Sequence, residues 1–166
     1  VTVNVCDGFQ YTKAAIREKI TAQTRAILIN SPSNPTGNLL SKERMAEIAA
    51  LGVPIVSDEI YHGLVYEDKE HSILEFTDNA FVLNGFSKAY AMTGWRLGYL
   101  IAPRPFIRPM QKIQQNLFIS PNAFVQWAGV SALREAEPDV LRMWSIYNDR
   151  RIFMIRRLRE MGLGIC

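Results

Sequence analysis

Short apolar runs alternate with helical patterns along this chain. Arg25 to Asn30 reads Arg-Ala-Ile-Leu-Ile-Asn, a buried-strand run followed by the turn residues Ser31 to Gly37. Val53 to Asp58, Ala80 to Asn84 and Leu97 to Ala102 form further strand runs, the last ended by Pro103 and Pro105, and Val1 to Val5 reads as a strand at the start. Between them Ser41 can cap a helix through about Leu51, with Met45, Ile48 and Ala49 on its apolar side. The last third is helical. Ser120-Pro121 and Glu137-Pro138 each put proline at a first helical position. From Pro138 onward Leu141, Trp144, Tyr147, Met154, Ile155, Leu158 and Met161 recur near a 3.6-residue period, which predicts a long amphipathic helix. Strands alternating with helices predict an α/β domain with a largely parallel sheet.

Composition narrows the class only a little. With 166 residues, 48% hydrophobic and 21% charged, the chain suits a globular domain with one sizeable core. The net charge of +3 is mild but uneven: seven carboxylates and one lysine lie between Asp58 and Asp78, and six arginines between Arg142 and Arg159. No base-stacking or groove-reading motif accompanies those arginines, so a solvated helix face is expected rather than nucleic-acid binding. Ile113 to Leu133 carries no formal charge, yet its glutamines, asparagines and Ser120 mark soluble helices, not a membrane span. Cys6 and Cys166 have neither a disulfide framework nor metal-ligand spacing, which fits a reducing, cytoplasmic setting. The chain opens without methionine inside an apparent strand and stops as an apolar segment begins at Gly162 to Cys166, so a piece of a longer protein is expected.

In open α/β sheets ligands bind beyond the carboxyl ends of the strands. Three polar clusters fall there: Asn34-Pro35-Thr36-Gly37, Asp58-Glu59-Ile60-Tyr61 and Ser87-Lys88. Lys88 can attack a carbonyl when its amine is neutral. Arg96 offers a planar cationic fork for a phosphate and Ser87 a hydroxyl donor, with Gly94 and Gly98 permitting close approach of a ligand. This combination suits a phosphorylated aldehyde. Asp58 ends an apolar strand, where a carboxylate needs a partner; opposite a pyridine nitrogen it would keep that nitrogen protonated. A cap or a structural ion pair is the plainer role for it. Tyr61 and Asn34 can hydrogen-bond a phenolic ring oxygen, or serve turn and core. Glu59 is expected to face away from Asp58, and His62 and His71 to be loop residues. No Walker-type phosphate loop occurs.

Together, Asn34-Pro35-Thr36-Gly37, Asp58-Glu59-Ile60-Tyr61, Ser87-Lys88 and Gly94-Trp95-Arg96-Leu97-Gly98-Tyr99 resemble the class I/II aminotransferases of fold type I, over essentially the whole chain and in the family's order. The resemblance implies a three-layer α/β/α fold with a mostly parallel mixed sheet, incomplete at both ends. Residues 1–137 would belong to the cofactor-binding large domain and 138–166 to a helix leading toward a small domain. It implies pyridoxal 5'-phosphate as cofactor, amino acid and 2-oxo acid as substrates, and a homodimer at full length. By the same resemblance Lys88 carries the internal aldimine and shuttles the proton, Asp58 pairs with the ring nitrogen, and Tyr61 and Asn34 bond the ring oxygen. Ser87 and Arg96 bind the phosphate.

Two rivals share the fold. A carbon–sulfur β-lyase usually lacks the Gly94-to-Tyr99 run, and an aminotransferase-like effector domain of a transcription regulator would carry a DNA-binding unit upstream. The family's glycine-rich phosphate loop, its cofactor-stacking aromatic and its substrate-carboxylate arginine would all lie outside this chain. A strand between Val1–Val5 and Arg25–Asn30 would also be missing, so the piece alone is expected to be poorly stable and inactive.

Overall fold

The computed structural model describes residues 9–164, and the strand expected at Val1–Val5 lies outside them. Four strands form one sheet in the order β1 (Ile27–Asn30), β2 (Ile55–Asp58), β3 (Ala80–Gly85) and β4 (Gly98–Ile101). The first three are parallel and β4 runs antiparallel to β3, so the mixed, mostly parallel sheet is as expected. Side chains alternate across a strand with period two. Ile27 and Ile29, Ile55 and Ser57, and Ala80 and Val82 therefore share one face, and all six are buried. Leu28, Asn30, Val56, Asp58, Phe81 and Leu83 share the other, where Leu28 is 73% exposed. This alternation alone sends Glu59 to the core side, away from Asp58.

Helices cover both faces. α1 (Lys13–Lys19) and α2 (Lys42–Ala49) bring Ile16, Met45 and Ile48 onto the Ile29–Ile55–Val82 face. Thr12 caps α1 by accepting from the Ala15 N–H, and Ser41 caps α2 by accepting from the Arg44 N–H. α1 was not read from the sequence: with seven residues and one buried side chain it has almost no periodicity to detect. α3 (Arg104–Leu117) sets Phe106 against Phe81 on the opposite face, ring centroids 5.1 Å apart. Pro103 and Pro105 thus open a helix as well as ending a strand, and Pro109 lies inside it. α4 (Ala123–Glu135) begins two residues later than Pro121 suggested, because Asn122 is the cap and accepts from the Phe124 N–H.

α5 (Glu137–Glu160) is the long helix, with Pro138 in its first turn. Its covered stripe is rotated from the expected one. Val140, Met143, Trp144, Arg151, Ile155 and Leu158 are partly buried, while Leu141, Tyr147, Met154 and Met161 are exposed. The aliphatic part of an arginine and the edge of a tryptophan can occupy a packed stripe, which a count of apolar residues misses. Among the described residues no helix is long and apolar enough to cross a membrane, and no cluster of ligating side chains could hold a metal ion.

Two glycines fix how closely β3 and β4 approach at the functional edge. A Cβ on Gly85 would stand 2.9 Å from the Gly98 Cα and 3.0 Å from the Leu97 carbonyl, both backbone atoms that cannot swing aside. A Cβ on Gly98 would meet the Asn84 carbonyl at 3.2 Å. The close approach that glycine permits at Gly98 is therefore to the neighbouring strand, whereas Gly94 has open space around it. Gly85→Ala should cost about 2 kcal/mol through overpacking, and Gly94→Ala less than about 1 kcal/mol, as read by denaturant unfolding of the full-length protein.

Burial pushes the Tyr11 phenol up to about 12, partly offset by the Asn30 backbone. A folded value above the unfolded one, which is near 10, means that the neutral ring stabilises the fold fully below about pH 10. That contribution, about 2 kcal/mol, is lost as pH rises toward 12. Tyr11→Phe should therefore flatten the fall in stability between pH 10 and 12, measured by chemical unfolding across that range.

Candidate active site

All three parallel strands end at one edge, and the antiparallel β4 begins there, because Gly85 is in register with Gly98. Asn34 follows β1, Asp58 closes β2, Tyr61 follows it, Ser87 and Lys88 follow β3, and Arg96 precedes β4. These six residues thus reach the same sheet edge. The Asp58 backbone carbonyl joins the first two clusters. It accepts from the Ser31 N–H at 3.1 Å and from the Asn30 side-chain amide at 3.1 Å. The other end of that amide accepts from the Asn34 N–H at 2.7 Å. Asn30 therefore pins the Asn34 loop to the end of β2, a role not read from the sequence; its only signal there is a polar residue closing an apolar run. The loop closes on itself through Gly37 N–H to Ser33 carbonyl and Ser33 N–H to Asn38 carbonyl. Gly37, at φ 75, takes the left-handed turn conformation.

The Asp58 carboxylate does part of the plainer job considered for it: Oδ1 accepts from the Ile60 N–H at 3.2 Å and shapes the turn that carries Tyr61. Glu59 points the other way and is only 2% exposed. Its Oε1 accepts from the Ser57 hydroxyl at 2.9 Å and the Ile73 N–H at 3.0 Å, while Oε2 lies 3.6 Å from His62 Nδ1. Glu59 thus ties the Ile73–Glu75 turn of 3₁₀ helix to the sheet edge, and His62 belongs to this buried group rather than to a simple loop. His71 is a partner of Glu75, at 2.8 Å, and holds that carboxyl below its usual range by hydrogen bonding.

Residues 86–97 form a loop closed at its neck. Phe86 N–H donates to the Leu97 carbonyl at 3.2 Å, and Ser87 and Arg96 are the next residues inside that neck. Within it the Thr93 hydroxyl donates to the Ser87 carbonyl at 2.8 Å, and Ala91 N–H to the Lys88 carbonyl at 3.0 Å. Arg96 sits in the left-handed region, φ 55 and ψ 46, and its Nη1 donates to the Thr93 carbonyl at 3.0 Å. For a residue with a Cβ that backbone costs about 1 kcal/mol, so the surrounding bonds must impose it. α4 supports the loop from beneath, where Gly129 packs against Phe86 and Leu97.

Lys88 Nζ lies 5.3 Å from the centroid of the Tyr61 ring. Asn34 and Tyr61 line a cleft of about 680 Å³ together with Leu64, Val65, Tyr66 and Arg151. Asp58, Ser87, Lys88 and Arg96 lie outside this cleft's lining, so the six residues share an edge but not one enclosed cavity.

The fold and the edge define an α/β protein whose mostly parallel sheet bears an amine, a cationic fork, a hydroxyl and a carboxylate at its strand ends. Comparison gives the family. The model for aminotransferase class I and II matches residues 1–166, and the chain belongs to that family. It is 42% identical over 162 residues to a (5-formylfuran-3-yl)methyl phosphate transaminase of Methanocaldococcus jannaschii, covering 95% of this chain and 43% of that protein. It is 39% identical over 165 residues to an aspartate aminotransferase of Pyrococcus abyssi, covering 93% and 42%. Among solved structures, an aspartate aminotransferase double mutant of Thermus thermophilus superposes with a TM-score of 0.93 at 35% identity, covering 99% of this chain and 46% of that one. An aromatic aminotransferase of Pyrococcus horikoshii gives 0.92 at 36%, covering 98% and 47%. The chain spans less than half the length of the relatives it matches.

Members of the family use pyridoxal phosphate. The donor types at the edge, an amine, a guanidinium, a hydroxyl and a carboxylate, are the kinds that the aldehyde, phosphate and ring nitrogen of such a molecule call for. Because Glu59 serves the core and Asp58 the edge, truncating them should have separate effects. Glu59→Ala leaves the Ser57 and Ile73 donors unpaired and should cost about 3 kcal/mol of stability. Asp58→Ala should spare most of the stability and weaken cofactor retention, with thermal unfolding and cofactor absorbance of the full-length protein as the two readings.

Proposed function

We propose that the protein carrying this chain transfers an amino group between an amino acid and a 2-oxo acid, with pyridoxal phosphate held by residues of this chain. The observation that supports it most is the convergence of Asn34, Asp58, Tyr61, Ser87, Lys88 and Arg96 on one edge, with Lys88 Nζ 5.3 Å from the Tyr61 ring. When bound, the cofactor acts as a sink for the electrons released as the substrate Cα–H bond breaks.

In this reading the side chains anchor, orient and move one proton. Arg96 and Ser87, just inside the loop neck, grip the phosphate and fix the ring's position. The Asp58 carboxylate holds the proton on the ring nitrogen, so the ring stays cationic. Tyr61 and Asn34 donate hydrogen bonds to the ring oxygen. Lys88 Nζ would hold the cofactor aldehyde and, as a free amine, would be the group that takes the proton from the substrate Cα. Residues 138–166 lead toward a second, smaller domain, and the full-length protein works as a cytoplasmic homodimer. Aspartate and aromatic relatives leave the amino donor as a choice made by residues beyond this site.

In the full-length protein Lys88→Ala should lower kcat by about 10²- to 10⁴-fold, read as 2-oxo acid formed from paired amino-donor and acceptor substrates. Arg96→Ala should weaken cofactor binding by about tenfold to a hundredfold. A Lys88→Ala protein that still holds a borohydride-reducible cofactor adduct would show that another lysine is the anchor. Product formed from cystathionine but not from paired substrates would favour the lyase chemistry instead.

A further inference from the structure

The loop that follows Tyr61 is fastened to α5 by contacts spanning some eighty positions of sequence. Trp144 Nε1–H donates to the Val65 carbonyl at 2.6 Å, across 79 residues. Arg151 Nη1 donates to Glu67 at 2.7 Å, across 84 residues, and its Nε to Asn148 Oδ1 at 3.1 Å. The Trp144 and Tyr66 rings lie 5.5 Å apart, and the Arg151 guanidinium lies 5.2 Å from the Tyr66 centroid. Tyr66 is thus gripped by both residues and Val65 and Glu67 by one each, three consecutive positions in all. The guanidinium is engaged by Glu67, Asn148 and Tyr66, so it is a fastening rather than a free receptor for a substrate anion.

From this clamp the chain runs back to the site without slack. Leu64 N–H donates to the Tyr61 carbonyl at 3.1 Å. Gly63, at φ 86, donates its N–H to both Glu70 carboxylate oxygens, at 2.9 and 3.1 Å. A Cβ on Gly63 would stand 3.3 Å from the Ala89 Cβ, so the turn carrying Tyr61 abuts the residue next to Lys88. The same stretch, with Arg151, walls the cleft that Asn34 and Tyr61 line. Exposed ion pairs contribute little to global stability, and Glu67 is mostly exposed. The arrangement is better suited to fixing a position than to holding the fold together.

We propose that Trp144 and Arg151 are positioning residues that hold the Tyr61 hydroxyl in place through the Val65–Glu67 clamp. This rests on the reading of Tyr61 as a partner of the cofactor ring oxygen. A displacement of α5 would then reach Tyr61 and the Lys88 loop directly.

The test uses the full-length holoenzyme and the pH midpoint of the bound cofactor's visible absorption band, which a hydrogen bond to the ring oxygen sets. Tyr61→Phe, Trp144→Phe and Glu67→Gln are compared, with the double variant Tyr61→Phe/Trp144→Phe; thermal unfolding is followed in parallel. Trp144→Phe keeps a ring against Tyr66 and removes only the N–H donor, and Glu67→Gln changes a mostly exposed carboxylate, so at least one of the two should fold. The expected result is that either variant moves the midpoint in the direction of Tyr61→Phe by at least a third of its shift. The double variant should move no further than Tyr61→Phe alone. A midpoint unchanged in both, with Tyr61→Phe shifted, would overturn the positioning role while leaving the Tyr61 assignment intact. An unshifted Tyr61→Phe would overturn both.

Discussion

The backbone carbonyl of Asp58 is the point on which this edge of the sheet depends. As the last carbonyl of β2 it takes two donors, the Ser31 N–H and the Asn30 side-chain amide. Asn30 passes the constraint on to the Asn34 loop. The same residue's carboxylate caps the turn toward Tyr61. One residue therefore fixes the loop before it in the sheet and the turn after it in sequence. A buried or half-buried carbonyl with both lone pairs occupied cannot shift without stranding a donor, and the cost of an unpaired donor makes the geometry hard to deform.

The chain divides labour between the two faces of β2 by alternation alone. Ser57 and Glu59 turn into the core and brace the Ile73–Glu75 segment, while Asp58 turns to the edge with Asn30. The two adjacent carboxylates therefore serve different ends. A one-residue slip in register would bury the wrong one.

Much of this was legible in the sequence because strand runs ending in polar residues obey two strong rules, alternation and the placement of ligands beyond strand ends. Ile27–Asn30, Ile55–Asp58 and Ala80–Gly85 were recognisable, and so was the convergence of Asn34, Asp58, Tyr61, Ser87, Lys88 and Arg96. Short-range chemistry was harder to read. α1 has too few residues for a period, α3 hides behind prolines that also end a strand, and the covered stripe of α5 includes Arg151, which no hydropathy pattern would place there. Asn30, Glu59 and the Trp144–Val65 bond depend on contacts between segments far apart in sequence, and no local pattern encodes those. The need of the next strand for room at Gly98, where a Cβ would stand 3.2 Å from the Asn84 carbonyl, had no local signal either.

Arg96 shows what this design costs. Its backbone is one that glycine would adopt freely, yet the position holds the bulkiest cation available. Along any path of sequence change, the residue easiest on the backbone there has no side chain, and a residue that would serve a ligand, as proposed for Arg96, keeps the chain in an unfavourable shape. On the proposed phosphate-binding role, selection for folding and selection for binding pull apart at this position. The neck bond from Phe86 to Leu97 and the glycine of α4 beneath it hold the compromise in place.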